Sequence, residues 1–205
     1  TFGLINTGTS GQVVHIGTNS KISGDSDYNI FTTPVGTNVG DWLFITVLSN
    51  DVSPGDMPTP ANWTLFAENK GIGSFDRYLK VFTRKHDGSA SYSIGEWSLY
   101  TSYIQSISAF GGALASEDFK STVQTGSTPF SFTNPSSTKS NVMVVQIIGH
   151  DRDTNSSIVT AANSSLDDFT EVFDRATTTG YGGGFSINTG TKGSVGAISN
   201  TTGTL

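Results

Sequence analysis

The chain has 205 residues, a net charge of −6, a sequence pI near 4.8 and no cysteine. That excludes a disulfide framework and any Cys-ligated metal. With no basic cluster larger than Arg84-Lys85 and no apolar run near the roughly 18–20 residues of a membrane span, it also argues against nucleic-acid binding, docking to anionic lipid and membrane insertion.

Charged residues make up only 14% of the chain, against about 25% in an ordinary globular protein. Ser and Thr take their place, a composition that suits exposed β-sheet. Hydrophobic content of 35% with 11% aromatic residues supports a thin core. The opening Thr1-Phe2-Gly3-Leu4 has neither the basic region nor the apolar stretch of a signal peptide, although a processed chain would read the same.

In chain order, residues 1–11 read as an N-terminal arm, flexible or partner-bound. Residues 12–16 and 28–31 are short apolar runs, the second ended by Pro34. Residues 41–48 are almost continuously apolar, as a strand covered on both faces requires. Strands are expected at 63–68 and 77–84, and then Asp87-Gly88 signals a hairpin turn. Residues 92–97 and 103–110 follow. The stretch 104–114 has the only arguable helical pattern, but Gly111-Gly112 and its β-branched residues favour a strand ending in a turn. Residues 112–140, rich in Ser and Thr with Pro129 and Pro135, read as a crossing. The second half gives strands at 130–132, 142–148, 169–173, 182–187 and 193–199. About a dozen short strands with turn signals between them predict an all-β, two-sheet antiparallel β-sandwich of jelly-roll-like kind, one domain over 12–205.

A phrase recurs within this pattern. Gly40-Asp41-Trp42-Leu43-Phe44-Ile45, a polar loop and Asn62-Trp63-Thr64-Leu65-Phe66 are matched by Asn141-Val142-Met143-Val144-Val145, another loop and Asp168-Phe169-Thr170-Glu171-Val172. Tyr78 and its strand align with Tyr181, and Trp42 with Val142. The halves, about 35–111 and 136–200, keep one order of elements, the pattern an internal duplication leaves. Gly/Ser/Thr-rich β sequences also resemble one another by chance, and that alternative stays open. If the repeat is real, each half is expected to give strands to both sheets. The loops 49–62 and 149–168 would then lie at one end of the sandwich.

The residues Gly40-Asp41-Trp42-Leu43-Phe44-Ile45, Pro60-Ala61-Asn62-Trp63-Thr64-Leu65 and Tyr78-Leu79-Lys80-Val81-Phe82-Thr83 resemble a group of β-sandwich proteins of phage and prophage structural modules. These are minor structural, tail-associated, fibre or decoration proteins. The likeness runs over roughly residues 35 to 200, and Phe169-Thr170-Glu171 matches the second half of the group's pattern. It implies a place on the virion surface, with secretion or a bacterial cell surface as the alternative. It further implies docking to other virion proteins, homo-oligomerisation with a trimer favoured, and adhesion to a host-surface glycan. It brings no catalytic residue and no cofactor.

Reactive chemistry finds little support in the residues. No Gly-x-Ser-x-Gly elbow occurs. His86-Asp87 and His150-Asp151 are adjacent pairs that point to opposite faces of a strand, so they read as loop-tip polar residues. Glu68, Glu96, Glu117 and Glu171 could supply a glycosidase carboxylate, with Glu96 beside Trp97 the most suggestive. Asp151-Arg152-Asp153-Thr154-Asn155 opens like a calcium loop, but Ser156 and Ala162 stand where an EF-hand needs Gly and Glu. No metal is therefore assigned. The glycines of 180–184 read as close backbone approach or a bulge. Trp63 reads as core, and Trp97 is the tryptophan best placed for exposure. The binding candidates are Asp51, Asp56, Trp97, Asp151 and Asp153, all on loops. Sequons at Asn62, Asn155, Asn163 and Asn200 are expected by chance in so Ser/Thr-rich a chain.

The leading expectation is thus a non-enzymatic virion structural protein. A carbohydrate-binding module or adhesin is the alternative, and a virion-associated glycan hydrolase stands behind both.

Overall fold

A computed structural model of the chain describes residues 4–7, 13–22, 29–50, 57–70, 77–94, 103–111, 114–118, 129–134, 136–150, 160–177 and 183–204. Over these the protein is all β, with no helix. The strands are β1 Leu4–Thr7, β2 Val14–Ile22, β3 Ile30–Thr32, β4 Trp42–Asn50, β5 Thr64–Lys70, β6 Arg77–Lys85, β7 Ser91–Ser93, β8 Tyr103–Gly111, β9 Leu114–Asp118, β10 Phe130–Phe132, β11 Val142–His150, β12 Thr160–Ala162, β13 Asp167–Ala176, β14 Gly184–Lys192 and β15 Thr201–Thr204. Ten of them form two five-stranded antiparallel sheets. The first runs β2-β8-β4-β6-β5 and the second β13-β14-β11-β1-β9. The predicted β-sandwich is the fold.

The two sheets pack face to face. Alternate side chains of each central strand point into the space between them. Phe44 and Leu48 of β4 meet Met143, Val145 and Ile147 of β11, with Leu79, Val81, Phe110, Phe185 and Ile187 around them. Each sheet is also covered on its outer face, which is why β4 and β11 read as nearly continuous apolar runs. Leu43, Ile45, Val47 and Phe82 lie under the β3-β7 ribbon with Phe31, Met57, Trp63 and Tyr92. Val142 and Val144 lie under Leu166 and Ile198, and Ile148 packs with Phe130 of the β10-β15-β12 sheet. Burying one such side chain contributes about 1.5–3 kcal/mol.

The repeat is visible in register. From Thr64 to Thr170 is a shift of 106 residues, and it carries the whole β5-β6 pairing onto β13-β14. Thr64↔Thr83 becomes Thr170↔Thr189, and Leu65↔Phe82 becomes Glu171↔Asn188. The bulge at Phe66 becomes the bulge at Val172, and Ala67↔Val81 becomes Phe173↔Ile187. Asn62 and Asp168, matched by that shift, both hold the left-handed backbone at φ 65 and φ 53. Short polar residues with local hydrogen-bonding options tolerate that conformation best. Trp63 therefore does correspond to Phe169. Gly40 at φ 95 corresponds to Asn141 at φ 57, so Trp42 stands opposite Met143.

Several expectations need correction. The alignment of Trp42 with Val142 is one residue out, and Tyr78 matches Gly184 rather than Tyr181. Each half builds a sheet of its own instead of feeding both. Strands from outside the halves complete each sheet: β2 lies in the first, while β9, from the expected crossing over 112–140, and β1, from the expected arm over residues 1–11, lie in the second, with Leu4–Thr7 between β11 and β9. Asp87-Gly88 joins strands that do not pair with each other; β6 stays in the first sheet and β7 leaves it to pair with β3. The closing strand is Thr201–Thr204, while 193–199, expected as a strand, forms a turn with Gly196 at φ 128 and only a bridge to Ser137.

Candidate functional site

All five loop residues nominated as binding candidates, Asp51, Asp56, Trp97, Asp151 and Asp153, lie outside the described residues, as does Glu96. The strand ends that bracket them are described. Antiparallel register places the ends of β2, β4 and β5 and the starts of β6 and β8 together, through Ile22↔Ile104, Ser49↔Tyr103, Asn50↔Arg77 and Lys70↔Tyr78. In the second sheet His150↔Gly184 and Ala176↔Gly184 gather the ends of β11 and β13 with the start of β14.

Contacts between the sheets show that these are the same end of the sandwich. A Cβ at Gly149 would lie 3.5 Å from Leu79 Cδ2 and 3.8 Å from Leu48 Cδ1. Arg175 Nη1 donates to Ser20 Oγ at 2.8 Å, tying the ends of β13 and β2. Residues 23–28, 51–56, 71–76, 95–102, 151–159 and 178–182 are joined to these strand ends. In sequence they hold eight of the 17 acidic residues and one of the 11 basic ones. Tyr28, Phe75, Trp97, Tyr100 and Tyr181 are among them.

Among the described residues, the opposite end includes several tight turns. Gly40, Asn62, Gly88, Asn141, Asp168 and Gly196, all with positive φ, lie at or beside them. The Gly40-Asp41 pair of the recurring phrase belongs here. The Asp41 carboxylate accepts the Asn38 amide at 2.7 Å, while Gly40 and Asp41 exchange backbone hydrogen bonds with His86. That pair is turn chemistry.

One polar cluster at this end was not legible. Arg84 Nη2 donates to Asp87 Oδ2 at 2.6 Å, and the Tyr92 hydroxyl donates to Asp87 Oδ1 at 2.7 Å. His86 Nδ1 lies 2.7 Å from the same hydroxyl. The Arg84 guanidinium stands 4.6 Å over the Tyr92 ring and 5.6 Å from that of Trp63. Hydrogen bonds from Ser89 and Tyr92, aided by Arg84, hold the Asp87 carboxyl well below the usual carboxylate range. Burial pushes the Tyr92 hydroxyl up. His86 and Asp87 make no contact as a pair but share Tyr92, and His86 is buried rather than at a loop tip. His150 is buried too. The cluster fastens the β3-β7 layer to the first sheet. Its aromatic rings are packed together, with Trp63 edge-on to Tyr92 at 5.7 Å.

The outer face of the second sheet is fastened differently. Asn134 and Asn163 each donate to the Ser199 carbonyl and to Thr201 Oγ1, at 2.7–2.9 Å. Gln146 Nε2 donates to Asn134 Oδ1 at 2.8 Å. The Asn163 amide nitrogen is thus engaged and buried, which removes that sequon as an attachment site. Glu68 is exposed and pairs with Lys80 at 3.7 Å; Lys80 also donates to the Met57 carbonyl and holds the chain after residue 56 across the sheet. Glu171 is exposed on β13, in the other sheet from Glu68 on β5. Gly184 does mark close approach: a Cβ there would lie 2.6 Å from that of Ala176.

Among the described residues no three His, Asp or Glu side chains gather as a metal centre would require. Comparison with protein-family models, curated proteins and solved structures gave no match.

Proposed function

We propose that the chain is a non-enzymatic virion structural protein of a phage, on the capsid or tail surface, that docks to other virion proteins. The observation that carries this reading is the division of labour between the two ends of a doubled sandwich. Among the described residues, one end carries turns held at positive φ by Gly, Asn and Asp. The other joins six connections that carry nearly half of the acidic residues. Rigid scaffolds that present variable connections at one end are binding architectures. The likeness of residues 40–45, 60–65 and 78–83 to phage β-sandwich proteins supports the virion setting. Quantitative mass spectrometry and immunogold labelling of purified particles test it. A stoichiometric copy number on the particle surface is expected; absence from intact particles refutes it.

A second reading, a carbohydrate-binding module or adhesin, is favoured by the five aromatic residues on those same connections, since aromatic side chains offer a large apolar face to a ligand with a polar handle nearby. Glycan-array binding that is lost on Trp97→Ala supports it, and no signal at high protein concentration removes it.

A further inference from the structure

The two halves complete their sheets in different ways. In the first sheet, β4 has β6 on one side and β8 on the other. β8 belongs to the same half and pairs with residues 42–49 of β4. In the second sheet the corresponding place beside β11 is taken by β1, which comes from the far side of the first half. β1 pairs with Val142, Met143 and Val144 of β11 and, on its other edge, with β9. It is an inserted strand rather than an added one, since in the order β13-β14-β11-β1-β9 it alone joins β9 to the rest of the sheet.

No hairpin holds β1 to either neighbour. More than one hundred residues separate it in sequence from both β9 and β11, and its covalent link runs through residues 8–13 into the other sheet. Pairing of this kind is read by backbone hydrogen bonds and alternating side-chain positions, the mode by which an extended segment is added to a sheet. Nothing in such a slot distinguishes a chain's own strand from an identical one.

We infer that β1 is exchangeable: the slot between β11 and β9 accepts the Leu4–Thr7 segment of a second copy of this chain, and copies are linked through the second sheet. Exchange of an identical element keeps every contact, so it costs little in the strands themselves. What favours the chain's own strand is effective concentration, on the order of millimolar for a short link. In dilute solution the closed monomer prevails. Where copies are held together at about that concentration or above, the exchanged form competes. The inference does not depend on a virion location, and its test involves no particle.

The absence of cysteine makes that test clean. Ile5 stands opposite Met143 in the β1-β11 register, and directly opposed residues have Cβ atoms about 4.5–5.5 Å apart, close to disulfide range. Two full-length chains, Ile5→Cys and Met143→Cys, are unfolded, mixed and refolded together at about 1 mM, above the effective concentration of a short link, then oxidised. A disulfide-linked heterodimer on non-reducing gels, increasing with protein concentration, is expected. Pairing Ile5→Cys with Ile147→Cys, four residues out of register, is expected to give none. A single chain carrying both Ile5→Cys and Met143→Cys reports the closed form by an intramolecular disulfide. If that disulfide forms but no in-register heterodimer appears at any concentration, the exchange is refuted. If neither forms, β1 does not occupy the slot, and the inference falls with it.

Discussion

Replacing Tyr92 with Phe removes one oxygen and keeps the ring, so it isolates what the hydroxyl does at the corner of the first sheet. That oxygen donates to Asp87 Oδ1 at 2.7 Å, accepts from the Asp87 amide at 3.2 Å and meets His86 Nδ1 at 2.7 Å. An ionised carboxylate can only accept, so the hydroxyl proton belongs to Asp87 and His86 Nδ1 must carry the hydrogen it donates. In the Phe variant the exposed Asp87 takes water in place of the hydroxyl. His86, only 6% exposed, loses the acceptor for its Nδ1–H. A buried donor left unsatisfied costs about 1–3 kcal/mol. In a chain of this length each kcal/mol moves Tm by about 2–4 °C, so a mid-range loss of about 2 kcal/mol lowers Tm by about 4–8 °C. Calorimetry and urea unfolding read the change, and the nitrogen shifts of His86 read the tautomer. A cycle with His86→Phe isolates the coupling, because the double variant no longer contains the orphaned donor. Stability of Tyr92→Phe within about 0.5 kcal/mol of the parent, or no coupling between positions 86 and 92, would refute the reasoning.

Other outcomes follow from positions where the halves differ or crowd. Ile45 and Gln146 are matched across the repeat, both buried on an outer face; Ile45→Gln puts an unpartnered amide in an apolar layer and is expected to cost about 4 kcal/mol. Gln146→Ile removes a carbonyl oxygen with no partner among the described residues and orphans Asn134 Oδ1, so the two effects offset to within about 1 kcal/mol; equal urea midpoints for the two variants would contradict this asymmetry. Gly203→Ala drives a Cβ onto the Thr160 carbonyl and within 2.5 Å of Phe130 Cζ, with an expected loss of about 3 kcal/mol, the upper part of the overpacking range, read as a lowered Tm. Burial holds the His15 pKa below its ordinary 6.5, partly offset by its backbone hydrogen bond to Gly17. The unfolded chain therefore takes up the proton first, and the contribution to stability is complete above about pH 6.5 and lost as pH falls through the folded value. His15→Gln is expected to flatten the Tm-against-pH curve just below neutrality, and an unchanged slope would assign the loss to other groups.

Periodicity and burial made the central strands legible, because β4 and β11 are covered on both faces and their sequences carry few interruptions. The match of Trp63 to Phe169 was legible for a related reason: the left-handed turn before each strand calls for Asn or Asp, and the Thr after it faces a Thr on the next strand. β15 was not legible. Thr201-Thr202-Gly203-Thr204 has no apolar alternation, and it is a strand because β10 and β12 flank it. β1 failed in the same way, since four residues paired with strands more than one hundred positions away carry no local signal. The Tyr92 cluster was missed because the chain leaves the first sheet at Asp87-Gly88, where an Asp-Gly pair ordinarily signals a hairpin. Had β6 and β7 paired, Tyr92 could not have returned over His86.

The repeat also bears on where binding would reside. Register and the Gly149–Leu48 contact bring matched positions of the two halves, the ends of β4 and β11, side by side. The connections that leave those ends, 51–56 and 151–159, therefore start next to each other although about a hundred residues separate them in sequence. Their sequences differ: Asp-Val-Ser-Pro-Gly-Asp in one and Asp-Arg-Asp-Thr-Asn-Ser-Ser-Ile-Val in the other. At the opposite end two positive-φ positions recur in both halves, Gly40 with Asn141 and Asn62 with Asp168. Two turns at one end thus recur in both halves, while the connections that carry Asp51, Asp56, Asp151 and Asp153 at the other differ in sequence. On the proposed docking role that end would hold the partner's specificity, and substitutions at Asp51, Asp56, Asp151 and Asp153 are expected to weaken binding to the particle in a sedimentation assay.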